Sequence, residues 1–421
     1  MARRPRWLSR WHTIVMGTPT LWDTVELNSV LWTAPDANPD RMMSLLHAFL
    51  QRGGKTLLKL AVLMANDPPY GPALELLADH SERWQTANFI TSWPNGLRHL
   101  SAAKGRLFHL KMLSLSGSPA PIDIFGVAPC LKEVAFLGVP GTVLECTKLP
   151  LQQLRSFQCG EFWGVGEMIG LGTSPTMSLM PRLTDAYFTL HLSRFDPSET
   201  VITSAPVPPI TCTISGFLIN VADSFSPANI GPTLAAIVDS LTLPALSELA
   251  MDSEEYPRLP LPWPHPQFLG LARRSSFDAH LLSLELYHSL ITEVELLECL
   301  NALPALDRLG VSDHQLGAGT TRHLITSTLF AALTSPGPTS PPPAPRLSAF
   351  QCRSLLQFDD TVFLSFLLSR VAGKTDDDGL FEIDISWLPG HQRDLDLHLL
   401  AQIDELQAAE ALSFVFDAVE R

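Results

Sequence analysis

Gly53-Gly54-Lys55-Thr56 ends the way a phosphate-binding loop ends, with a lysine for the phosphates and a hydroxyl for magnesium. Such a loop follows a strand and opens a helix, whose first amides then face the phosphates. Here the order is reversed. The segment follows an apolar-faced helical stretch and leads into the strand-like Leu57–Leu63, and the loop's first glycine would have to be Phe49. The run from Gly164 to Gly172 is glycine-rich but lacks dinucleotide spacing and a convincing strand ahead of it, so it reads as an excursion. Asp376-Asp377-Asp378-Gly379 lacks the alternate ligands and closing glutamate of a calcium loop and reads as a solvated turn. His109, His191, His280 and His288 fall near strand ends, yet none of the 13 histidines forms a zinc-helix pair. No nucleophile elbow is present. The expectation is a chain that is not an enzyme, with no catalytic residues, no cofactor and no metal.

The six cysteines, Cys130, Cys146, Cys159, Cys212, Cys299 and Cys352, lie far apart, with no pair at metal or redox spacing. They fit small hydrophobes in a reduced, intracellular setting, cytoplasmic or nuclear. Hydrophobic residues make up 46% of the 421 and charged ones 17%, which is ample for a core and wrong for a disordered chain. The net charge of −14 leaves no basic face for nucleic acid. No stretch has the ~20 apolar residues of a membrane span, and no secretory signal opens the chain. No nucleic-acid or membrane partner is expected.

One unit recurs: apolar, two of any type, apolar, one of any type, apolar. It appears at Leu110/Leu113/Leu115, Leu131/Val134/Phe136, Leu154/Phe157/Cys159 and Leu183/Ala186/Phe188. It returns at Leu246/Leu249/Met251, Leu281/Leu284/Leu286, Leu306/Leu309/Val311 and Leu347/Phe350/Cys352. In five copies a proline (Pro129, Pro181, Pro244, Pro304, Pro345) stands two residues before the first apolar. The last two apolar positions share one face of a strand, and the first anchors the turn into it. Segments near Leu57–Leu63, Thr211–Ile219 and Leu380–Ile385 read as degenerate copies.

Helices fall between the strands. Pro39–Leu50 places Met42, Leu45, Leu46 and Phe49 on one face, with Asn38 as N-cap and Gly53 just past the end. Thr292 and Glu295 fit a capping box ahead of Leu296, Leu300 and Leu303. Asp359–Arg370 carries Val362, Phe363, Phe366 and Leu367, and a helix precedes the proline and strand in 122–136 and in 292–311. A strand with one apolar face cannot close a core alone, so each unit must lean on its neighbours. The expected fold is α/β: an irregular leucine-rich-repeat-like solenoid of about ten repeats. Its curved, mostly parallel sheet is lined outside by helices. Adjacent copies lie 21, 23 and 29 residues apart at first and 35, 25 and 41 later, and the usual asparagine is missing. The repeat core is assigned to Leu113, Leu115, Val134, Phe136, Leu249, Leu284, Leu286 and Leu309.

Several stretches carry a family resemblance. Trp11 to Trp22 contains a Thr-Pro-x-Leu-Trp sequence, and His80-Ser81-Glu82-Arg83-Trp84 follows it. Pro262–Leu269, Ser283–Leu286, Ile291-Thr292 and Leu303–Leu306 come later in order. With these the chain resembles the F-box/leucine-rich-repeat-like proteins abundant in mushroom-forming fungi. The resemblance implies the substrate-binding part of a ubiquitin-ligase receptor, whose F-box docks on a Skp-type adaptor. Only ten residues precede Trp11. The expectation is therefore an F-box remnant at 1–30, in which Trp11, Pro19, Leu21 and Trp22 cap the array. A solenoid at 31–421, with a proline-rich loop at 335–346, would bind an unidentified protein target. The Skp-type adaptor would bind only with an F-box upstream. A scaffold without ligase coupling, and an enzyme with a site assembled from scattered residues, are the alternatives.

Overall fold

A computed structural model describes residues 13–28, 32, 38–64, 71–91, 96–117, 122–137, 147–162, 180–191, 209–222, 230–253, 261–316, 320–334, 342–372, 379–388 and 390–418. The chain forms two compact units, Met1–Phe162 with Pro175–Leu183, and Trp163–Ser174 with Thr184–Arg421.

The first unit contains β1 (Thr24–Asn28), β2 (Leu58–Met64), β3 (Trp84–Thr91), β4 (Met112–Gly117), β5 (Glu133–Leu137) and β6 (Ser156–Phe162). They pair in that order, each parallel to the next. The second unit contains β7 (Asp185–His191), β8 (Ile210–Thr211), β9 (Gly216–Ala222), β10 (Leu241–Thr242), β11 (Glu248–Ser253) and β12 (Ser283–Leu286). It continues with β13 (Arg308–Ser312), β14 (His314–Leu316), β15 (Thr320–Arg322), β16 (Ala349–Ser354), β17 (Phe381–Trp387) and β18 (Leu412–Ala418). There β7, β9, β11, β12, β13, β16, β17 and β18 form a second parallel ladder in that order. The short β8 and β10 pair in parallel, and β14 with β15 is an antiparallel hairpin. Among the described residues β1 pairs only with β2 and β18 only with β17, so the architecture is α/β, mostly parallel and unclosed.

The register follows the repeat. In the first unit Val25, Leu60, Ala87, Leu113, Val134 and Phe157 stand side by side. In the second the row is Ala186, Phe217, Leu249, Leu284, Leu309, Phe350, Ile383 and Phe414. All eight residues assigned to the repeat core are buried on this apolar side. The side chains of Cys159 and Phe188 lie outside the described residues. The five prolines all do the same work. Each sits second in a four-residue turn that closes when the anchor leucine's N–H donates to the residue before the proline: Leu131 to Ala128, Leu183 to Met180, Leu246 to Leu243, Leu306 to Leu303 and Leu347 to Ala344. Proline's fixed φ suits that turn position.

Among the described residues fourteen ladder strands exceed the expected ten, because β1, β3 and β18 also obey the offset with unusual residues. Other expectations shift locally. Leu45 is exposed, while helix Pro39–Arg52 buries Leu46 as expected and Leu50 besides. In 122–136 the helix is a single 3-10 turn, Ile124–Gly126. Gly54 (φ +53°), not Gly53, takes the left-handed position after helix Pro39–Arg52.

Helices cover the apolar side. Helix Asp360–Val371 sets Phe366 against Phe350 of β16 (6.1 Å) and Phe381 of β17 (5.8 Å), and Phe330 of helix Ser327–Leu333 joins them (5.2 Å to Phe366). Consecutive helices are stitched by arginines that meet carbonyls at the preceding helix's end or in the connection that follows it. Arg83 donates to Leu50 and Thr56, Arg106 to Asp79, and Arg274 to Val238 and Leu241. Arg370 donates to Leu333, Pro343 and Ala344.

Helix Glu293–Asn301 opens with the expected capping box: Thr292 Oγ1 accepts from Glu295 N (3.2 Å), and Glu295 Oε2 accepts from Thr292 N (2.8 Å). Thr292→Ala should lower the denaturation free energy by about 1 kcal/mol. A urea titration reads this, and an unchanged midpoint would mean the helix start is held by packing alone.

Candidate functional site

Side chains alternate along a strand, so every ladder strand turns its intervening residues to the face opposite the apolar column. In the second unit these form three rows. One row runs Leu218, Ala250, Glu285, Gly310, Gln351, Asp384 and Val415. A second holds Asn220 beside Asp252, then Ser312, Arg353, Ser386 and Asp417. The third holds Gly216, Glu248, Ser283, Arg308, Ala349, Glu382 and Ser413.

The middle of this face is a connected polar cluster. Tyr287, just past β12, lies across β13 and donates its hydroxyl to Gln351 Oε1 (2.7 Å) on β16. Gln351 Nε2 donates onward to Asp384 Oδ2 (2.9 Å) on β17. The ring can lie there because residue 310 is glycine: a Cβ at Gly310 would meet Tyr287 Oη at 2.7 Å and Glu285 Cγ at 3.0 Å. The Arg353 guanidinium stacks on the Tyr287 ring, 4.6 Å from its centroid. His288 Nδ1 meets Asp252 Oδ1 at 2.7 Å, and its backbone is left-handed (φ 57°), which turns the chain out of the sheet. Its N–H donates to Ser312 Oγ (2.7 Å).

Charge on this face is unevenly met. Burial, with Glu248 and Asp252 nearby, pushes the Glu285 carboxyl up. Burial also pushes the Tyr287 phenol up, which keeps it a neutral donor. At Asp252 burial pushes upward, but the His288 hydrogen bond and charge outweigh it and hold the carboxyl below its ordinary value. A carboxyl lowered by folding stabilises above its unfolded value of ~4, and that part is lost as pH falls through the folded value. Acid unfolding below pH ~4 should therefore be less steep in His288→Gln than in the parent. Equal steepness would remove the pair as a source of acid sensitivity. Three buried polar atoms here have no hydrogen-bond partner: Asn220 Oδ1, Arg353 Nη1 and Asp384 Oδ1.

Two look-alikes of chemistry are structural. Gly53-Gly54-Lys55-Thr56 is a helix-to-strand turn: a Cβ at Gly53 would meet Arg83 Nη2 at 2.7 Å and Trp22 O at 2.9 Å, so the glycine serves close packing. A cysteine, an imidazole and a carboxylate do meet at Cys299, His265 and Glu298. His265 Nε2 lies 2.7 Å from Glu298 Oε2, and Cys299 Sγ lies 3.7 Å from His265 Nδ1. Yet Trp263 Nε1 donates to that same Nδ1 (3.3 Å), and burial pushes the Cys299 thiol up to about 12. A thiol held protonated inside a packed helix face is no nucleophile. These contacts dock the Pro262–Leu269 stretch on helix Glu293–Asn301.

Among the described residues no group of three or more His, Cys, Asp and Glu could hold a metal ion. No helix among them is long and apolar enough to cross a membrane. Cys212, Cys299 and Cys352 are buried free thiols and Cys130 an exposed one. Trp11, the Gly164–Gly172 run and Asp376–Asp378 lie outside the described residues, although, against expectation, a strand (β6, Ser156–Phe162) does precede the glycine run. Pro19 and Leu21 are exposed on the 3-10 turn Pro19–Trp22. Trp22 packs edge-on to Phe49 (5.2 Å) under Arg52 (4.9 Å) and donates to Val15 O (3.0 Å). Of the polar cluster, sequence reasoning singled out only His288. The others were marked by the variable positions of the repeat, which the register turns to a common face.

The fold and face define a class: an α/β protein of parallel, unclosed ladders, of which the second has an apolar side and a largely polar one. No protein-family model and no curated protein matches the chain. Among solved structures, the yeast complex of Rad7 and Elc1 contains a chain that is similar at 12% identity and a TM-score of 0.32. The match covers 82% of this chain and 90% of that one.

Proposed function

We propose that this chain is a non-catalytic protein-recognition module, a leucine-rich-repeat-like solenoid that binds its target on the polar face of the second unit. The observation that carries this reading is the Tyr287–Gln351–Asp384 chain with Arg353 stacked above Tyr287. Tyrosine and arginine are the residue types that dominate protein interfaces. In this reading the polar atoms of Arg353 and Asp384 that lack partners are completed by the target, since a buried polar group left unpaired is costly. The resemblance of Trp11–Trp22 and Pro262–Leu306 to F-box/leucine-rich-repeat-like proteins supports a further step: substrate selection for a ubiquitin ligase, through a Skp-type adaptor.

The test is affinity purification of the tagged full chain beside Gln351→Ala/Arg353→Ala, with circular dichroism to confirm that both fold. Proteins retained by the parent and lost by the variant support recognition at this face. A cullin-ligase adaptor among the retained proteins supports the ligase step, and its absence removes that step and leaves a scaffold. Identical retention by both chains overturns the choice of face.

A further inference from the structure

The polar face of the second unit carries more than a generic docking surface. From β9 to β18 its rows hold six carboxylates, Glu248, Asp252, Glu285, Glu382, Asp384 and Asp417, against two guanidiniums, Arg308 and Arg353, and the His288 imidazole that meets Asp252. Carboxylates crowded on one face repel each other, and a cation relieves that repulsion. Glu285 already registers the crowding, since burial and its acidic neighbours Glu248 and Asp252 push its carboxyl up.

An independent observation points to a ligand. Asn220 is 6% exposed, and its Oδ1 has no hydrogen-bond partner. Its neighbours Phe217, Ile219 and Val221 are buried on the apolar side or alternate with it, so Asn220 faces the polar side, directly beside Asp252. An orphan acceptor next to a carboxylate asks for a group that only donates, and ammonium and guanidinium are such groups. Asp384 Oδ1 is a second acceptor without a partner, while Arg353 Nη1 is a donor without one. The three are met together by one kind of ligand: a cationic side chain for the acceptors and a main-chain carbonyl for Arg353.

We infer that the face recognises an extended protein segment bearing lysine or arginine, whose cationic side chains lie between Asn220, Asp252 and Glu285 and near Asp384, with a backbone carbonyl on Arg353. This inference rests on the proposed recognition role and names the chemistry of its target.

The experiment selects a displayed random-peptide library on the full chain, then resynthesises the enriched peptides and an analogue with every lysine and arginine replaced by glutamine. The expected result is enrichment of basic peptides, with affinity falling as salt rises. Binding should weaken about tenfold with Glu285→Gln or Asp384→Asn, each removing one charge-assisted hydrogen bond, and by more with the glutamine analogue, which removes all of them. Both substitutions keep side-chain shape, so the fold is retained. Basic peptides that bind all variants equally, or no enriched peptide at all, overturn the inference. Enriched peptides without basic bias, lost in Gln351→Ala/Arg353→Ala, overturn it while leaving recognition at this face intact.

Discussion

Replacing Asp313 by alanine should lower the unfolding free energy by about 4 kcal/mol, a large effect for one small polar side chain. Asp313 is 2% exposed and follows β13 directly. Its Oδ1 accepts from Leu324 N (2.6 Å) and Ile325 N (2.9 Å), and its Oδ2 from Leu355 N (2.7 Å) and Ser354 Oγ (3.2 Å). One carboxylate thus holds the chain leaving β13, the approach to helix Ser327–Leu333 and the exit of β16. Alanine strands four buried donors, each worth ~1–3 kcal/mol, and water entering the vacated space returns part of that. Asparagine should give an intermediate loss, because its amide NH2 cannot accept from one of the two sides. Burial pushes the Asp313 carboxyl up despite its donors. A carboxyl raised by folding does not lose stability on acidification, so its titration adds nothing to acid unfolding. Hydrogen exchange should quicken first at Leu324, Ile325 and Leu355. Unchanged exchange at those amides would show that packing, not the carboxylate, fixes the turn.

Much of the ladder was legible because its physics is periodic. The anchor, the two inward positions and the proline of the entering turn recur at fixed offsets, so six of the eight strands bury both expected residues, and β6 and β7 bury the described ones, Phe157 and Ala186. Three others obey the same offsets but hide them: Trp22/Val25/Leu27, Trp84/Ala87/Phe89 and Ala411/Phe414/Phe416. Tryptophan fills an anchor site as well as leucine, and alanine suffices where a bulkier neighbour occupies the space. A pattern built on leucine passes over both. β3 also carries an extra residue opposite Leu58–Lys59, which shifts its register with β2 by one. The polar cluster was illegible for a different reason. Tyr287, Arg353 and Gln351 lie up to 66 residues apart, and only the parallel register, with Gly310 leaving room between, brings them together. Asp313 and the stitching arginines gave no local signal either, because their partners are backbone groups 11 to 42 residues away.

Replacing Arg370 by methionine should cost about 3 kcal/mol, nearly as much as the loss of Asp313. Its guanidinium is buried under helix Asp360–Val371, and burial lowers its pKa to about 10, so it is still charged at neutral pH. Nη2 donates to Leu333 O (2.7 Å) and Pro343 O (3.1 Å), and Nη1 to Ala344 O (2.9 Å), where Ala344 itself is left-handed (φ 45°). Methionine keeps the apolar stem beside Phe366, so the loss isolates the head group and the three carbonyls it abandons. Lysine should rescue little, since one ammonium cannot span acceptors that a planar fork reaches from two nitrogens. Arg83, Arg106, Arg274 and Arg370 all reach back to carbonyls of a preceding helix, and so bond neighbouring elements laterally. Bonding of that kind links nearest neighbours, so the damage should stay local. Denaturation of Arg370→Met should lose cooperativity, with exchange rising in helix Ser327–Leu333 and residues 342–347 while β1 to β6 keep the protection of the parent. Uniform weakening of both units would contradict a neighbour-by-neighbour array.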